Sequence, residues 1–361
     1  MKRTVSADAK LAAKLDHEAA AALIRQCPLY EPTPALDRPD LARALGLGQL
    51  VIKHEARRLG LTSFKSLGGA YAIIRHLAEK FETGTGRRFT ADDFHRRAFR
   101  DLASKSVFAA ATDGNHGLSV AAGARAVGAT ANIFVHQRVP DYRIARLKEK
   151  GANVTVVPGV FDNAVAEAGR QAAERGWVLV ADTTENPDDA VPKWVLDGYT
   201  LLASEMMDQT VRPPTHAVLH AGVGGLAAAC MDRWKTLSPR PACLIVEPAE
   251  APALFESFKT GRMISVPDDS AGSMEMLECY RPSRLAWDIL EPLTTACFTV
   301  TSAEAEDAVL ALAKAGFDTT PSGAAAFAGL YKIARDDAAR QACGLTDESV
   351  VWLVISEGRG P

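Results

Sequence analysis

Apolar and polar positions along this chain fall into short blocks of two kinds. Brief β-branched or aliphatic runs at 50–55, 107–111, 131–135, 153–157, 177–180, 217–221, 243–246 and 350–355 read as strands. Between them lie stretches with helical spacing. One begins near Lys65 and carries Ala70, Ile73, Ile74 and Leu77; others cover 118–127, 141–150, 161–175 and 227–234. Gly151 and Gly176 end two of them, and Val165, Ala168 and Ala172 share one face of the 161–175 stretch. Strand–helix alternation of this kind builds a mostly parallel sheet covered by helices. The expected fold is therefore α/β with two domains. Residues 1–113 and 158–361 form the larger one, and 114–157 form a smaller, mobile one inserted in it. No tandem repeat, low-complexity tract or long linker interrupts the pattern.

Composition narrows the class without naming a chemistry. The 361 residues are 47% hydrophobic and 24% charged, which suits one or two ordinary globular domains. A net charge of −3 gives no reason to expect nucleic acid or an acidic membrane surface as partner. Arg87, Arg88, Arg96, Arg97 and Arg100 read as a solvated loop and helix face. No apolar run reaches transmembrane length, and the Ala/Lys-rich stretch 1–15 lacks a signal-peptide core. The six cysteines are scattered with no C-x-x-C pair, as expected of reduced thiols in a cytoplasmic protein.

Three segments carry candidate chemistry. In Ser63-Phe64-Lys65-Ser66-Leu67-Gly68-Gly69 a lysine opens a helix just after a strand. A cation is disfavoured at that end of a helix. One reason to keep it there is imine formation with an aldehyde cofactor such as pyridoxal phosphate. A lone solvated lysine is the alternative, and it would prevail if nothing else pointed to a cofactor. The second segment, Thr112-Asp113-Gly114-Asn115-His116-Gly117, joins a strand to a small-residue helix. Its backbone N–H groups suit a carboxylate or phosphate, and Asn115 adds an amide donor. Asp113 sits where an anion site would repel its charge, a setting that raises a carboxyl pKa and fits acid–base work. A Gly-Asn turn with a capping Asp explains the same letters.

The third segment, Gly222-Val223-Gly224-Gly225-Leu226-Ala227, again follows a strand and opens a helix. Its glycines let backbone approach a phosphate closely. Read as G-x-G-x-x-A with Glu247 at the end of the next strand, it also mimics a dinucleotide fingerprint, so an NAD-dependent oxidoreductase stands as an outside reading. A phosphate-only reading gives Lys65 and Asn115 a use; the NAD reading leaves both idle.

Together these segments resemble the fold-type II pyridoxal-phosphate enzymes, the family of threonine dehydratase, cysteine synthase and the tryptophan synthase β-subunit. Within it the likeness is greatest to the 2,3-diaminopropionate ammonia-lyases. It runs from about residue 30 to the end, through Lys53-His54-Glu55, Phe64 to Ile73, Thr112 to Gly117, Val180-Ala181-Asp182-Thr183, Ala221 to Gly224, Val246-Glu247-Pro248, Leu285 to Leu290, Ser322-Gly323-Ala324 and Val354 to Gly358. A polar insert at roughly 82–104 fits the same subfamily.

The resemblance implies a two-domain fold with pyridoxal phosphate in the cleft, held as an imine to Lys65 beside Phe64. It implies that Gly222, Val223, Gly224, Gly225 and Leu226 seat the phosphate, Asn115 meets the ring hydroxyl, and Ser356 meets the pyridine nitrogen. The substrate would lie on Thr112, Asp113, Gly114 and His116, with Asp182 near its distal amine. Lys65 and Asp113 would take the Cα proton of opposite enantiomers, and β-elimination would yield pyruvate and ammonia from diaminopropionate. No metal is implied, and a homodimer is. Two departures bear on substrate: Thr184-Glu185-Asn186-Pro187-Asp188-Asp189 replaces an aromatic-acidic-Gly-Tyr run, and Pro321 stands where a glutamate is expected. They leave a dehydratase of a β-hydroxy amino acid (hydroxyaspartate, threonine or serine, phenylserine) as a competing reading. A β-replacement synthase ranks lower, because Asp113 suits elimination better than the Ser or Thr usual in synthases.

Overall fold

A computed structural model describes residues 14–268 and 271–359. Most of the stretch read for a signal peptide, residues 1–13, lies outside them, as do the last two residues of the chain. Ten strands appear among the described residues: β1 (Ala35–Asp37), β2 (Gln49–His54), β3 (Val107–Ala111), β4 (Thr130–His136), β5 (Asn153–Val157), β6 (Val178–Leu179), β7 (His216–His220), β8 (Ala242–Pro248), β9 (Thr294–Val300) and β10 (Val350–Ile355). They form two sheets. The larger runs β1-β2-β10-β7-β8-β9, parallel except for the antiparallel β1, and the smaller runs β5-β4-β3-β6, all parallel.

β10 shows why the apolar runs behave as they do. It lies between β2 and β7 with all six residues buried. Val350, Trp352 and Val354 enter one core; Val351, Leu353 and Ile355 enter the core on the other face. A parallel strand covered on both faces has no solvent side, so it reads as continuous rather than alternating hydrophobicity.

The second sheet departs from the expected span of 114–157. Only β4 and β5 lie inside that span. β3 and β6 flank it, and β6 pairs with β3 through Phe108↔Val178 and Ala109↔Leu179. The unit therefore takes its strands from 107–179, with the helix Phe161–Arg175 packing Ala164, Ala168 and Ala172 onto Ala109 and Phe134. Of the two other helices in that span, Asn115–Val127 and Asp141–Glu149, the first lies against Lys65–Thr85. Glycines permit that contact: a Cβ at Gly69 would stand 2.6 Å from Ser119 Oγ, and one at Gly123 would stand 2.7 Å from Ala70 Cα. Neither distance is tolerable, so these two positions set how closely the helices approach.

Thr112, Asp182, Gly222 and Ser356 lie within three residues after the carboxyl ends of β3, β6, β7 and β10, and His136 is the last residue of β4. Open α/β sheets place ligands at that end of their strands.

Candidate active site

Lys65 is the first residue of Lys65–Thr85, and the loop before it is fixed by β10. Phe64 N–H donates to the Ser356 carbonyl at 3.0 Å, and Ser63 bridges to Glu357. The Phe64 ring packs edge-on against Tyr199, with centroids 4.8 Å apart. Lys65 Nζ pairs with the Asp182 carboxylate, each side chain about one-fifth exposed (22% and 23%). Burial pulls the ammonium down, but Asp182 outweighs it and holds Lys65 above its usual range. Burial likewise pushes the Asp182 carboxyl up, and Lys65, then His116, overcome it, so Asp182 stays well below the carboxylate range.

The turn after β3 sorts its residues. Thr112 Oγ1 accepts from the N–H groups of Gly114 (3.0 Å) and Gly117 (3.1 Å), and Thr112 N–H donates to the Phe134 carbonyl (3.1 Å), so Thr112 is committed to the turn. His116 is buried, its Nε2 2.7 Å from the Val180 carbonyl, which places the proton there and leaves Nδ1 facing Asp182 Oδ2 at 4.0 Å. Burial lowers its pKa. Asn115 Nδ2 donates to Glu357, whose other oxygen accepts from Thr320 Oγ1 at 2.5 Å. Burial pushes the Glu357 carboxyl up. Asp113 lies beside His136, with Nε2 3.0 Å from Oδ1, and Met276 Sδ closes over Gly114. Burial raises the Asp113 carboxyl, against the pull of His136 and Arg143. A cavity of about 260 Å³ opens alongside, lined by Thr62, Gly114, Asn115, Arg143, Glu357 and Arg359 among others.

After β7 the chain turns through Gly222 and Gly224 (φ +97°) into the helix Gly225–Trp234, whose N-terminus takes no side-chain cap from the described residues. A Cβ at Gly222 would stand 2.9 Å from Cys279 Sγ and one at Gly224 3.1 Å from Ala286 Cβ. Ser283 N–H donates to the Val223 carbonyl at 3.0 Å, and Leu226 is buried behind the turn. Ser356 Oγ lies 2.8 Å from Nε2 of His220, a ring that burial brings down to about 4.

Glu247, the acidic residue of the dinucleotide reading, is fully buried. Its oxygens accept from the N–H groups of Leu254 (2.8 Å) and Phe255 (2.6 Å). Committed to a helix end, it offers nothing to a ribose, and the NAD reading falls. The divergent loop 184–189 folds on itself. Thr184 Oγ1 reaches Asp189 Oδ2 (2.5 Å), Asn186 Nδ2 reaches Asp189 Oδ1 (3.0 Å), and Glu185 takes a two-pronged bond from Arg281 (2.6 and 2.9 Å).

The sequence model described as "Pyridoxal-phosphate dependent enzyme" matches residues 27–356. The chain belongs to that family. It is 34% identical over 282 residues to the diaminopropionate ammonia-lyase of Salmonella typhimurium, covering 76% of this chain and 69% of that protein. Two crystal structures of Escherichia coli diaminopropionate ammonia-lyase superpose on it. The complex with D-serine does so with TM-score 0.83 at 28% identity, covering 95% of this chain and 88% of the other. The complex with an aminoacrylate-PLP azomethine reaction intermediate gives 0.83 at 26%, covering 99% and 95%. This pyridoxal-phosphate enzyme is a lyase of the β-eliminating kind.

The residues present fit the cofactor. Asp113 Oδ1, His116 Nδ1, Tyr199 OH and His220 Nδ1 are buried polar atoms with no aligned hydrogen-bond partner among the described residues, and all four belong to residues of this cleft. Buried polar atoms left unpaired are costly and rare, so their gathering marks a place built for a polar ligand. The uncapped helix behind tight glycines supplies an anion seat beside it. Tyr199, Glu357 and His136 escaped sequence reasoning. Glu357 directly follows Ser356 and was within reach of that signal; Tyr199 and His136 sit in segments with no motif.

Proposed function

We propose that this lyase cleaves 2,3-diaminopropionate, D and L, consuming one water and giving pyruvate and two molecules of ammonia. Pyridoxal phosphate, when bound, supplies the electron sink that makes the Cα proton removable. Lys65 would hold it as an imine, the N–H groups of residues 222–226 would seat its phosphate, and Phe64, Asn115 and Ser356 would flank the ring. Asn115 would do so while tied to Glu357. Substrate carboxylate would rest on the backbone N–H groups of Asp113, Asn115 and His116, since those of Thr112 and Gly114 are taken by the Phe134 carbonyl and Thr112 Oγ1. We assign the Lys65 amine as base for the L-isomer and Asp113 as base for the D-isomer.

The observation that carries the choice of a diamino substrate is the Lys65–Asp182 pair. Engaging Lys65 as an imine replaces its ammonium and leaves Asp182 a carboxylate in want of a cation. The β-ammonium of diaminopropionate has the charge to take that place. The homologous ammonia-lyases support the same reading. A β-hydroxy amino acid offers no such cation, and the divergent 184–189 loop is the feature that favours it. We further propose a homodimer, the commonest symmetric assembly, in the cytoplasm, a setting that suits six scattered cysteines with no C-x-x-C pair.

The test is pyruvate release from D- and L-2,3-diaminopropionate by the holoenzyme. Release from both is expected. Absence of release from either, with the cofactor absorption band present, overturns the substrate and directs the search to β-hydroxy amino acids.

A further inference from the structure

The parallel ladder of β3 and β4 continues one bond beyond β3, from Thr112 N–H to the Phe134 carbonyl at 3.1 Å. That register sets the next side chain, Asp113, beside His136, which ends β4 and is only 16% exposed. The His136 ring is oriented on its far side. Nδ1 accepts from the backbone N–H of Arg138 at 3.2 Å, so the proton the ring carries sits on Nε2. Nε2 stands 3.0 Å from Asp113 Oδ1, off the line of an ideal hydrogen bond. Catalytic contacts commonly show that geometry before substrate closes the site.

We infer that His136 is a positioning residue for Asp113: its Nε2–H, oriented by the Arg138 amide, steadies the carboxylate as the base that serves the D-isomer. The inference rests on the assignment of Asp113 to that isomer. The arrangement repeats the logic of a base held by a third group. It also limits what His136 does. Nδ1 is occupied as an acceptor, so the ring donates to Asp113 and does not pass a proton onward. The other charged or titratable groups facing Asp113 are Arg143, whose Nη1 lies 3.4 Å from the Asp113 carbonyl, Asp182 across the site and the Cys279 thiol. Arg143 is itself held by Glu275 at 2.5 Å, and Asp182 is held by Lys65. Of these, His136 is the one whose ring nitrogen touches the carboxylate.

The experiment compares pH profiles of kcat/KM for both enantiomers in wild type, His136→Phe and His136→Gln holoenzymes. In His136→Phe, turnover of the D-isomer falls on the order of tenfold, the worth of one hydrogen bond to a charged group. Loss of a donor favours protonated Asp113, so the acid limb of the D profile moves up by about one pH unit. The L-isomer profile stays in place and shows that the variant is folded. His136→Gln, which keeps a donor, recovers part of the loss. Equal losses on D and L, or a D profile that does not move, overturn the inference. If wild type turns over neither enantiomer, the substrate reading has failed on its own, and the Asp113 carboxyl is titrated by 13C NMR in holoenzyme instead. A midpoint raised in His136→Phe upholds the contact; an unmoved one overturns it.

Discussion

Two clusters of carboxylates and cations in this protein differ in completeness. In the first, Lys53, Glu55, Arg58 and Glu205 are 0–2% exposed. Arg58 donates to both carboxylates at 2.6–2.8 Å and to Thr33 Oγ1 at 2.7 Å, and Lys53 donates to Glu205 (2.7 Å) and the Thr33 carbonyl (2.5 Å). Burial pushes the Glu55 carboxyl up, Arg58 overcomes it, and Glu55 stays below its usual range. In the second, Lys65, Asp182, Asp113 and His136 are partly exposed, and Asp113 Oδ1 has no aligned donor among the described residues. The amino-acid types are much the same. What separates a structural knot from a reaction site is whether every donor and acceptor has been used within the chain.

The largest expected effect comes from breaking the open cluster. Lys65→Ala removes the amine that would hold the cofactor and serve as base. Pyruvate release from both diaminopropionate enantiomers should fall by more than about a thousandfold. The imine absorption band should disappear while far-UV circular dichroism stays that of the wild type. Retained turnover with either enantiomer would remove the imine assignment.

Breaking the closed cluster should invert that outcome. Arg58→Met leaves Glu55 and Glu205 buried with Lys53 alone between them, and removing one partner of a buried ionic group costs about 3–5 kcal/mol. Urea unfolding should show that loss, whereas kcat/KM per folded molecule should change little, because Arg58 touches no residue of the reacting set. A variant of wild-type stability would mean that the network relaxes or takes in water. A variant stable but inactive would mean that the two clusters are one unit.

This contrast also sorts what the chain announces locally from what only its fold supplies. Buried parallel strands such as β7 and β10 are legible because both faces are covered, and the turns holding Asp113 and Gly222 are legible because glycines and small residues punctuate strand ends. Lys65 is legible as a cation where a helix start disfavours one. β9 is not: it is an edge strand carrying Thr294, Thr295 and Thr299, too polar to stand out as a run. The span of the smaller unit is obscured because β3 and β6 join its sheet from outside the expected insert. Partnerships are least visible of all. Asn115 and Glu357 are 242 residues apart, and Arg58 and Glu205 are 147 apart. The motif reading placed Asn115 on a ring hydroxyl with no means of seeing the carboxylate that holds its amide.

Glu247 sharpens the comparison through pH and without touching turnover, because it is a buried carboxylate in neither cluster. It receives the two N–H groups at the start of the helix Ala253–Thr260, which favour its charged form, and burial opposes them. Burial prevails and pushes the carboxyl from 4.5 up to about 8. The sign of the consequence follows from proton counting. Below pH 4.5 folded and unfolded chains both hold the proton. As pH rises toward 8 the unfolded chain releases it and the folded chain retains it, so the contribution to stability is lost progressively across that window. One proton held through that window is worth about 1.4 kcal/mol per pH unit at most. Glu247→Gln cannot titrate and keeps a carbonyl oxygen for one of the two amides. The unfolding free energy of wild type, less that of the variant, should therefore decline between about pH 5 and 8 and then level off. A difference that stays flat would mean that the two amides outweigh burial and that Glu247 is already charged, which would make it a helix cap of the ordinary anionic kind.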